Sequence, residues 1–155
     1  MQSGDVIEVP TARGLAYVQY THKKPAWGVL IRVLPGFYVT RPSDFERVVA
    51  QKERFFVFFP LQQAVSRGIF KVVAHASVPK DAQSFPVLRG DGFTDREGRV
   101  HNWWIWDGQR EWRVDSLTDE QRRLSPREVW NDTLLIQRIE EEWVPEQEVA
   151  LREAK

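Results

Sequence analysis

The chain has 155 residues, and its basic and acidic side chains balance to a formal net charge of zero. Hydrophobic residues make up 42% and charged residues 28% of the chain, which is ordinary for a globular protein and excludes a disordered or fibrous one. Cysteine is absent, and this excludes disulfides, thiolate nucleophiles and Cys-ligated zinc or iron–sulfur centres. We therefore expect a single domain over 1–155, with a core over about 3–145 that is stabilised by packing and a frayed tail after Gln147.

Charge and hydropathy bear on location and on partners. Asp5 and Glu8 interrupt the segment where a signal peptide would be apolar, and no run approaches the roughly 18 apolar residues of a membrane span. We therefore expect a cytoplasmic protein with no membrane partner. No basic cluster stands out, so nucleic acid is not a favoured partner. Residues 1–75 carry ten basic and five acidic side chains and the rest carry an acidic excess, so the halves either dock on each other or form a polarised surface.

The first half of the chain is dominated by strand signals. Runs rich in β-branched and aromatic residues, separated by turn residues, predict a meander of three strands. These strands are Asp5–Val9, Leu15–His22 and Trp27–Leu34. Four phenylalanines around a valine predict that Arg54–Phe59 is a fully buried central strand, and Ile69–Ala76 regains β character after a turn or short helix.

Two helices are predicted. Ser43 followed by Glu46 fits a capping box, and the apolar spacing beyond it predicts a short helix near 43–51. Ser125 as N-cap, Pro126 at the first position and Glu128 predict a helix near 126–143. An apolar stripe at helical spacing would pack on the sheet, and Pro145 would end the helix. The stripe consists of Val129, Thr133, Ile136, Ile139 and Trp143.

The segment between these halves contains a loop and a hairpin. Three glycines and six charges predict that Arg89–Arg99 is a surface loop. Asp107-Gly108 between aromatic and β-branched runs predicts a type I′ turn, with Trp103 opposite Trp112. His101, Trp103, Ile105, Trp112 and Val114 would share the more apolar face, and Trp104 and Trp106 would lie on the other. The fold class is therefore α+β, mainly β, with a strongly bent antiparallel sheet or partly open barrel.

Signals of catalysis or metal binding are weak. His22, His75 and His101 are far apart in sequence, so a zinc or non-haem iron site is poorly supported. The 90–98 segment lacks the ligand pattern of an EF-hand and is better explained as a charged turn. Nucleophile, P-loop and dinucleotide motifs are missing, and we assign no catalytic, cofactor or metal residue. One enzyme hypothesis stays open, in which carboxylates act as acid and base. These are Asp91, Asp95, Asp107 and Asp115.

Two surfaces are candidates for partner binding. Trp104 and Trp106 share the polar hairpin face with Glu111 and Arg113, a composition typical of interface hot spots or sugar-stacking sites. Alternatively, the two tryptophans form a second core layer. The acidic run at the end of the last helix could steer a basic partner, or it is a solvated helix end. This run is Glu140, Glu141 and Glu142.

Three segments resemble a known family. Gly4–Pro10, Gly14–Tyr17 and Ile69–Val73 followed by Pro79 resemble the immunity protein 26 family of bacterial polymorphic toxin systems. The resemblance covers residues 3–80 best, roughly half of the chain. It implies a small cytoplasmic protein, encoded beside a toxin, that blocks the toxin domain by direct binding. It brings no catalytic residues and no mapped contact positions.

A toxin-neutralising immunity protein that acts by occlusion is accordingly the leading functional hypothesis. The alternative is a carbohydrate or other small-ligand binding module, because seven tryptophans in 155 residues is a high number and aromatic faces stack on sugars. Neither hypothesis requires a cofactor.

Overall fold

The computed structural model describes residues 1–154. It confirms the predicted α+β, mainly β class, with two open sheets over these residues. The chain divides into two compact units. The first comprises Met1–Ser84 and Val129–Trp143, and the second comprises Phe85–Glu128 and the described residues from Val144 onward. No helix of the described chain is long and apolar enough to span a bilayer.

The first unit contains a five-stranded antiparallel sheet with the strand order β4-β3-β2-β1-β5. The predicted meander is confirmed, and each of its connections is a short turn between neighbouring strands. The strands are β1 (Asp5–Thr11), β2 (Gly14–Lys24), β3 (Gly28–Val33), β4 (Phe55–Phe59) and β5 (Lys71–His75).

The phenylalanine-rich strand β4 is buried, but its predicted central position is wrong. It pairs with β3 alone within the sheet and therefore lies at an edge. Its outer side is covered instead by a later segment, where the backbone N–H of Trp130 donates to the carbonyl of Phe58 at 3.0 Å. Phe55 packs against Trp130 and Trp143, with ring centroids 5.4 and 5.0 Å away. Burial of an edge strand is possible because a non-sheet segment excludes water from it.

Three helices belong to this unit. They are α1 (Phe45–Val49), α2 (Leu61–Ser66) and α3 (Asp132–Glu140). The short helix predicted near 43–51 is confirmed, although its cap is Asp44, whose Oδ1 accepts from the Arg47 N–H at 3.2 Å. Asp44 lies one residue after the predicted cap, Ser43, and its side chain reaches a backbone N–H group of the first helical turn that has no partner within the helix.

The helix predicted over 126–143 begins later than the capping signals indicate. Ser125 and Pro126 form a short parallel strand, so their backbone is extended. The effective N-cap is Asn131, whose Oδ1 accepts from the Leu134 N–H at 2.8 Å. The predicted stripe is confirmed in its later part, where Ile139 and Trp143 are buried and Ile136 packs against the core. Its first two members are not buried: Val129 is 52% exposed and precedes the helix, and Thr133 is exposed.

The two faces of the first sheet differ in chemistry. One face carries the main apolar core, to which α3 contributes Leu135 and Ile139. The other face packs a smaller apolar cluster around Tyr17, Val48 and Val49. Several buried polar side chains also belong to this unit, and their hydrogen bonds must be supplied by the protein itself. They are Asp5, Glu8, Gln19, Thr21 and Arg32.

The second unit contains a four-stranded mixed sheet with the order β8-β7-β6-β9, in which only β6 and β9 are parallel. Its strands are β6 (Leu88–Asp91), β7 (Trp103–Trp106), β8 (Glu111–Val114) and β9 (Ser125–Pro126). A final helix, α4 (Pro145–Arg152), starts at the proline predicted to end the preceding helix. Residues after Gln147, which were expected to fray, continue α4 to Arg152, and Val149 is fully buried.

The surface-loop prediction for 89–99 is wrong at its start. Arg89 lies in β6 and is fully buried. Its Nη2 donates to the Pro145 carbonyl at 3.1 Å, and its guanidinium lies 5.6 Å from the Trp103 ring centre. Burial lowers the pKa of Arg89, which the nearby carboxylate of Glu148 opposes. The 94–99 part is a turn, as predicted, in which Asp95 accepts from two backbone N–H groups.

The hairpin is confirmed, but its register differs by two residues. Ile105 lies opposite Trp112, and Trp103 lies opposite Val114. Asp107 precedes the turn and its Oδ1 accepts from the N–H groups of the two residues beyond Gly108, which has a φ of 98°. A shift of two residues preserves the alternation of side chains, so the predicted division of residues between the hairpin faces is confirmed.

Candidate functional site

The predicted Trp104/Trp106 face is a mixed surface on β7 and β8. Trp104 lies opposite Arg113, and Trp106 lies opposite Glu111. Trp106 is only 9% exposed, whereas Trp104 is half-buried and both charged residues are exposed. Trp106 therefore belongs to a second core layer, whereas Trp104 keeps part of its ring exposed. We call Trp104, Trp106, Glu111 and Arg113, together with Arg127, the hairpin face.

Trp106 is covered from two sides. The Phe85 ring meets it edge to face, with centroids 5.3 Å apart, and the Arg127 guanidinium lies 5.3 Å from its ring centre. Arg127 also forms an ion pair with Glu111, with Nη1 and Oε2 2.6 Å apart. These contacts fix the side chains of one half of the hairpin face.

The other half of the hairpin face has unused binding capacity. Within residues 1–154, the Arg113 guanidinium has no ion-pair or hydrogen-bond partner, and the Trp104 indole N–H has no acceptor. A buried or half-buried indole N–H ordinarily finds a partner, and a guanidinium can donate five hydrogen bonds. Trp104 and Arg113 therefore form a ready donor pair beside a large apolar ring.

The three glutamates of the predicted acidic site make hydrogen bonds and ion pairs with other residues of the first unit. Glu140 Oε2 accepts from the Ala12 N–H at 2.7 Å, and Glu142 lies 3.7 Å from Arg13. Glu141 accepts from Gln137, which lowers its pKa, and pairs with Arg138 one turn earlier in the helix. These contacts connect the β1–β2 turn to the end of α3, and they give the acidic residues at this helix C-terminus a structural role.

Sequence reasoning did not single out Trp112, although it is the most solvent-accessible of the hairpin tryptophans. It is 44% exposed, lies on the outermost strand of the sheet, and makes no aromatic contact within the described residues. The hairpin pattern placed it on the more apolar face, which is correct. Its exposure follows from the edge position of β8, which no local pattern reveals.

A buried network around Arg32 was likewise missed. The Arg32 guanidinium is 1% exposed and donates four hydrogen bonds. Its acceptors are Glu53 Oε1 (2.9 Å), Gln19 Oε1 (2.9 Å) and the carbonyls of Val49 (2.9 Å) and Gln51 (2.7 Å). Burial would raise the pKa of Glu53, but hydrogen bonds from Lys52 and Arg32 outweigh it, and the pKa is lowered. The network is satisfied largely by side chains and carbonyls of the described residues, which is typical of a structural role.

A second polar cluster lies near Glu8. Arg41 donates to both Glu8 carboxylate oxygens, at 2.8 and 3.1 Å, and this lowers the pKa of Glu8. The Tyr17 hydroxyl donates to Glu8 at 2.9 Å, and burial together with this bond raises the pKa of Tyr17. The Tyr17 hydroxyl therefore stays protonated at neutral pH and serves as a hydrogen-bond donor to Glu8.

Three of the four carboxylates of the enzyme hypothesis are engaged in hydrogen bonds or ion pairs within the chain. Asp95 bonds His101 at 2.8 Å, which lowers the pKa of Asp95, and Asp107 holds the hairpin turn. Asp91 pairs with Arg152, and Asp115 is exposed. Within residues 1–154, no group of three His, Asp or Glu residues is arranged to hold a metal ion.

The first unit contains, among others, two grooves of different size. The larger, of ≈ 450 Å³, runs beside α1 and is lined by Tyr38, Asp44 and Arg47 among others. The smaller, of ≈ 250 Å³, combines Trp27 with Lys23, Gln62 and Gln63. Trp27 is stacked on Phe58, with centroids 5.6 Å apart, and is thereby fixed in orientation. An oriented indole beside amide and ammonium donors suits a small polar ligand.

Comparisons of the chain with protein-family models, with curated proteins and with solved structures find no match.

Proposed function

We propose that this chain binds a protein partner through the hairpin face, and that it acts as a toxin-neutralising immunity protein by occluding a toxin. The partner class comes from the resemblance of residues 3–80 to the immunity protein 26 family. The binding surface comes from one observation: Trp104 and Arg113, directly opposite each other on β7 and β8, have donor groups without partners among the described residues.

Two physical properties support this surface. Tryptophan and arginine are enriched among residues that dominate interface energies. Binding through Trp104 costs little ordering entropy, because Trp104 stands in a strand and its neighbours are fixed by the Arg127–Glu111 ion pair. A carboxylate on the partner would be recognised by the free Arg113 guanidinium.

The test is co-expression with the product of the neighbouring gene. We expect wild type to restore growth and to bind the purified toxin domain, and Trp104→Ala or Arg113→Glu to weaken binding by about 30-fold or more. Lys80→Glu, an exposed charge reversal in the first unit, should bind like wild type. Isothermal titration calorimetry measures the affinities, and circular dichroism verifies that each variant is folded. Absence of binding by folded wild type would overturn the proposal.

A second candidate function is small-ligand binding, and the Trp27 groove is the observation that favours it. The groove joins a fixed indole to polar side chains, as sugar-binding sites do. Its volume of ≈ 250 Å³ suits a monosaccharide-sized ligand better than a large one.

For this candidate we expect a glycan to raise the melting temperature of wild type but not of Trp27→Ala. A thermal-shift screen against a panel of mono- and disaccharides measures this effect. The matched control is Phe93→Ala, which removes an exposed aromatic ring from the other unit and should respond as wild type does. No response of wild type to any sugar would exclude this function for the panel tested.

A further inference from the structure

The outer edge of β8 has open backbone hydrogen-bonding groups. Asp107 donates its N–H to the Arg110 carbonyl at 3.1 Å, next to the hairpin turn. Hydrogen-bonded pairs alternate with non-hydrogen-bonded pairs in an antiparallel ladder, so Trp112 and Val114 direct their backbone groups toward β7. The backbone groups of Glu111 and Arg113 then point away from the sheet. Every residue of β8 is exposed except the half-buried Val114, so this edge is accessible to another strand.

The charge order along this edge is self-complementary. In antiparallel pairing, residues whose backbone groups point outward must lie opposite each other. A second β8 can satisfy this condition about a two-fold axis centred on Glu111, on Trp112 or on Arg113. The first centre places Glu111 opposite its own copy, and the third does the same with Arg113. Only the centre at Trp112 places Glu111 opposite Arg113, and symmetry makes this pair twice.

The same register places Trp112 opposite its own copy. This would be a non-hydrogen-bonded pair, in which opposed Cβ atoms approach to roughly 4.5–5.5 Å. Such spacing suits contact between aromatic rings. Trp112 has its ring exposed and makes no aromatic contact within residues 1–154. The backbone pattern therefore allows three registers, and the charge and aromatic requirements each favour the one centred on Trp112.

We propose that two copies of this chain associate edge to edge through β8, in a two-fold symmetric dimer centred on Trp112. The second-unit sheet of one copy would join that of the other copy to form one continuous sheet. The single interface between them would be isologous. The paired strands are short, so we expect a weak dimer with a dissociation constant in the micromolar range. The proposal uses no property of the toxin: the dimer pairs Glu111 with Arg113 at the seam, whereas Trp104, on the neighbouring strand β7, stays outside it.

Sedimentation velocity over a range of protein concentrations tests this dimer. Wild type should shift from monomer to dimer as concentration rises, whereas Trp112→Lys should remain monomeric because it places two like charges across the axis. Phe93→Lys alters an exposed aromatic residue elsewhere in the same unit and should dimerise as wild type does. Trp112→Lys should also keep wild-type affinity in the toxin-binding assay, which separates the fate of the dimer from that of the proposed function.

A charge-swap pair identifies the register. Arg113→Glu and Glu111→Arg each create like charges across the axis and should each be monomeric. Their equimolar mixture restores both opposite-charge pairs and should form a heterodimer. The proposal is overturned if folded wild type stays monomeric up to about 1 mM, if Trp112→Lys dimerises like wild type, or if the two folded charge variants fail to associate. Circular dichroism of each variant establishes that it is folded.

Discussion

Replacing Arg32 by methionine should lower the free energy of unfolding by about 3–5 kcal/mol, because the buried Glu53 carboxylate loses its buried partner and keeps only the exposed Lys52 ammonium, 2.8 Å away. Arg32 is 1% exposed, and its loss would leave Glu53 as a buried carboxylate without its guanidinium. The Gln19 amide oxygen would also lose its donor. Urea unfolding followed by circular dichroism measures the change.

The matched control is Arg96→Met, in the exposed 94–99 turn, which should change stability by no more than about 0.5 kcal/mol. The double variant Arg32→Met/Glu53→Gln should recover part of the loss, because the buried charge that Arg32 had neutralised is removed. Wild-type stability of Arg32→Met, or no recovery in the double variant, would contradict this account of the network.

Replacing Trp143 by alanine should cost about 3–5 kcal/mol, the range for deleting a large aromatic side chain from a core. Trp143 is buried and meets Phe55 and Trp130 edge to face, with centroids 5.0 and 5.2 Å away. Arg138 lies 5.6 Å from its ring centre, so its guanidinium loses an aromatic neighbour as well. Thermal and urea unfolding of the full chain measure the effect.

Phe93→Ala is the comparison for size and aromaticity, because Phe93 is 62% exposed and its main ring contact is with His101. Its cost should stay below about 1 kcal/mol. Equal destabilisation by the two substitutions would show that Trp143 does not anchor the core of the first unit.

Comparison of predicted and observed helices shows where local signals are insufficient. The capping pattern at Ser125 satisfies every local rule, yet Ser125 and Pro126 pair with β6. An extended backbone that gains ladder hydrogen bonds outweighs a cap worth about 1 kcal/mol. Asn131 is the N-cap of α3. Asparagine and serine are about equally favourable as N-cap residues, so the local sequence does not distinguish Asn131 from Ser125.

The candidate site was predicted in part. Alternation along the hairpin placed Trp104 and Arg113 on one face, and a register error of two residues left this placement intact. Burial of Trp106 was not predictable, because Phe85 and Arg127 cover it from outside the hairpin. The acidic run shows the reverse case. Its charges are obvious in the sequence, but their partners Ala12 and Arg13 are distant along the chain.

The sequence by itself determined the mainly β class, the meander of the first three strands, the hairpin and its two faces, because each depends on periodicity and turn chemistry within about ten residues. Tertiary structure alone decided that β4 and β8 are edge strands, that Arg32 and Arg89 are buried, and that Trp112 is exposed. These properties depend on which distant segment covers a residue. Within residues 1–154 no segment supplies Trp112 with an aromatic neighbour, and this is why its strand is the edge at which we expect a second copy to bind.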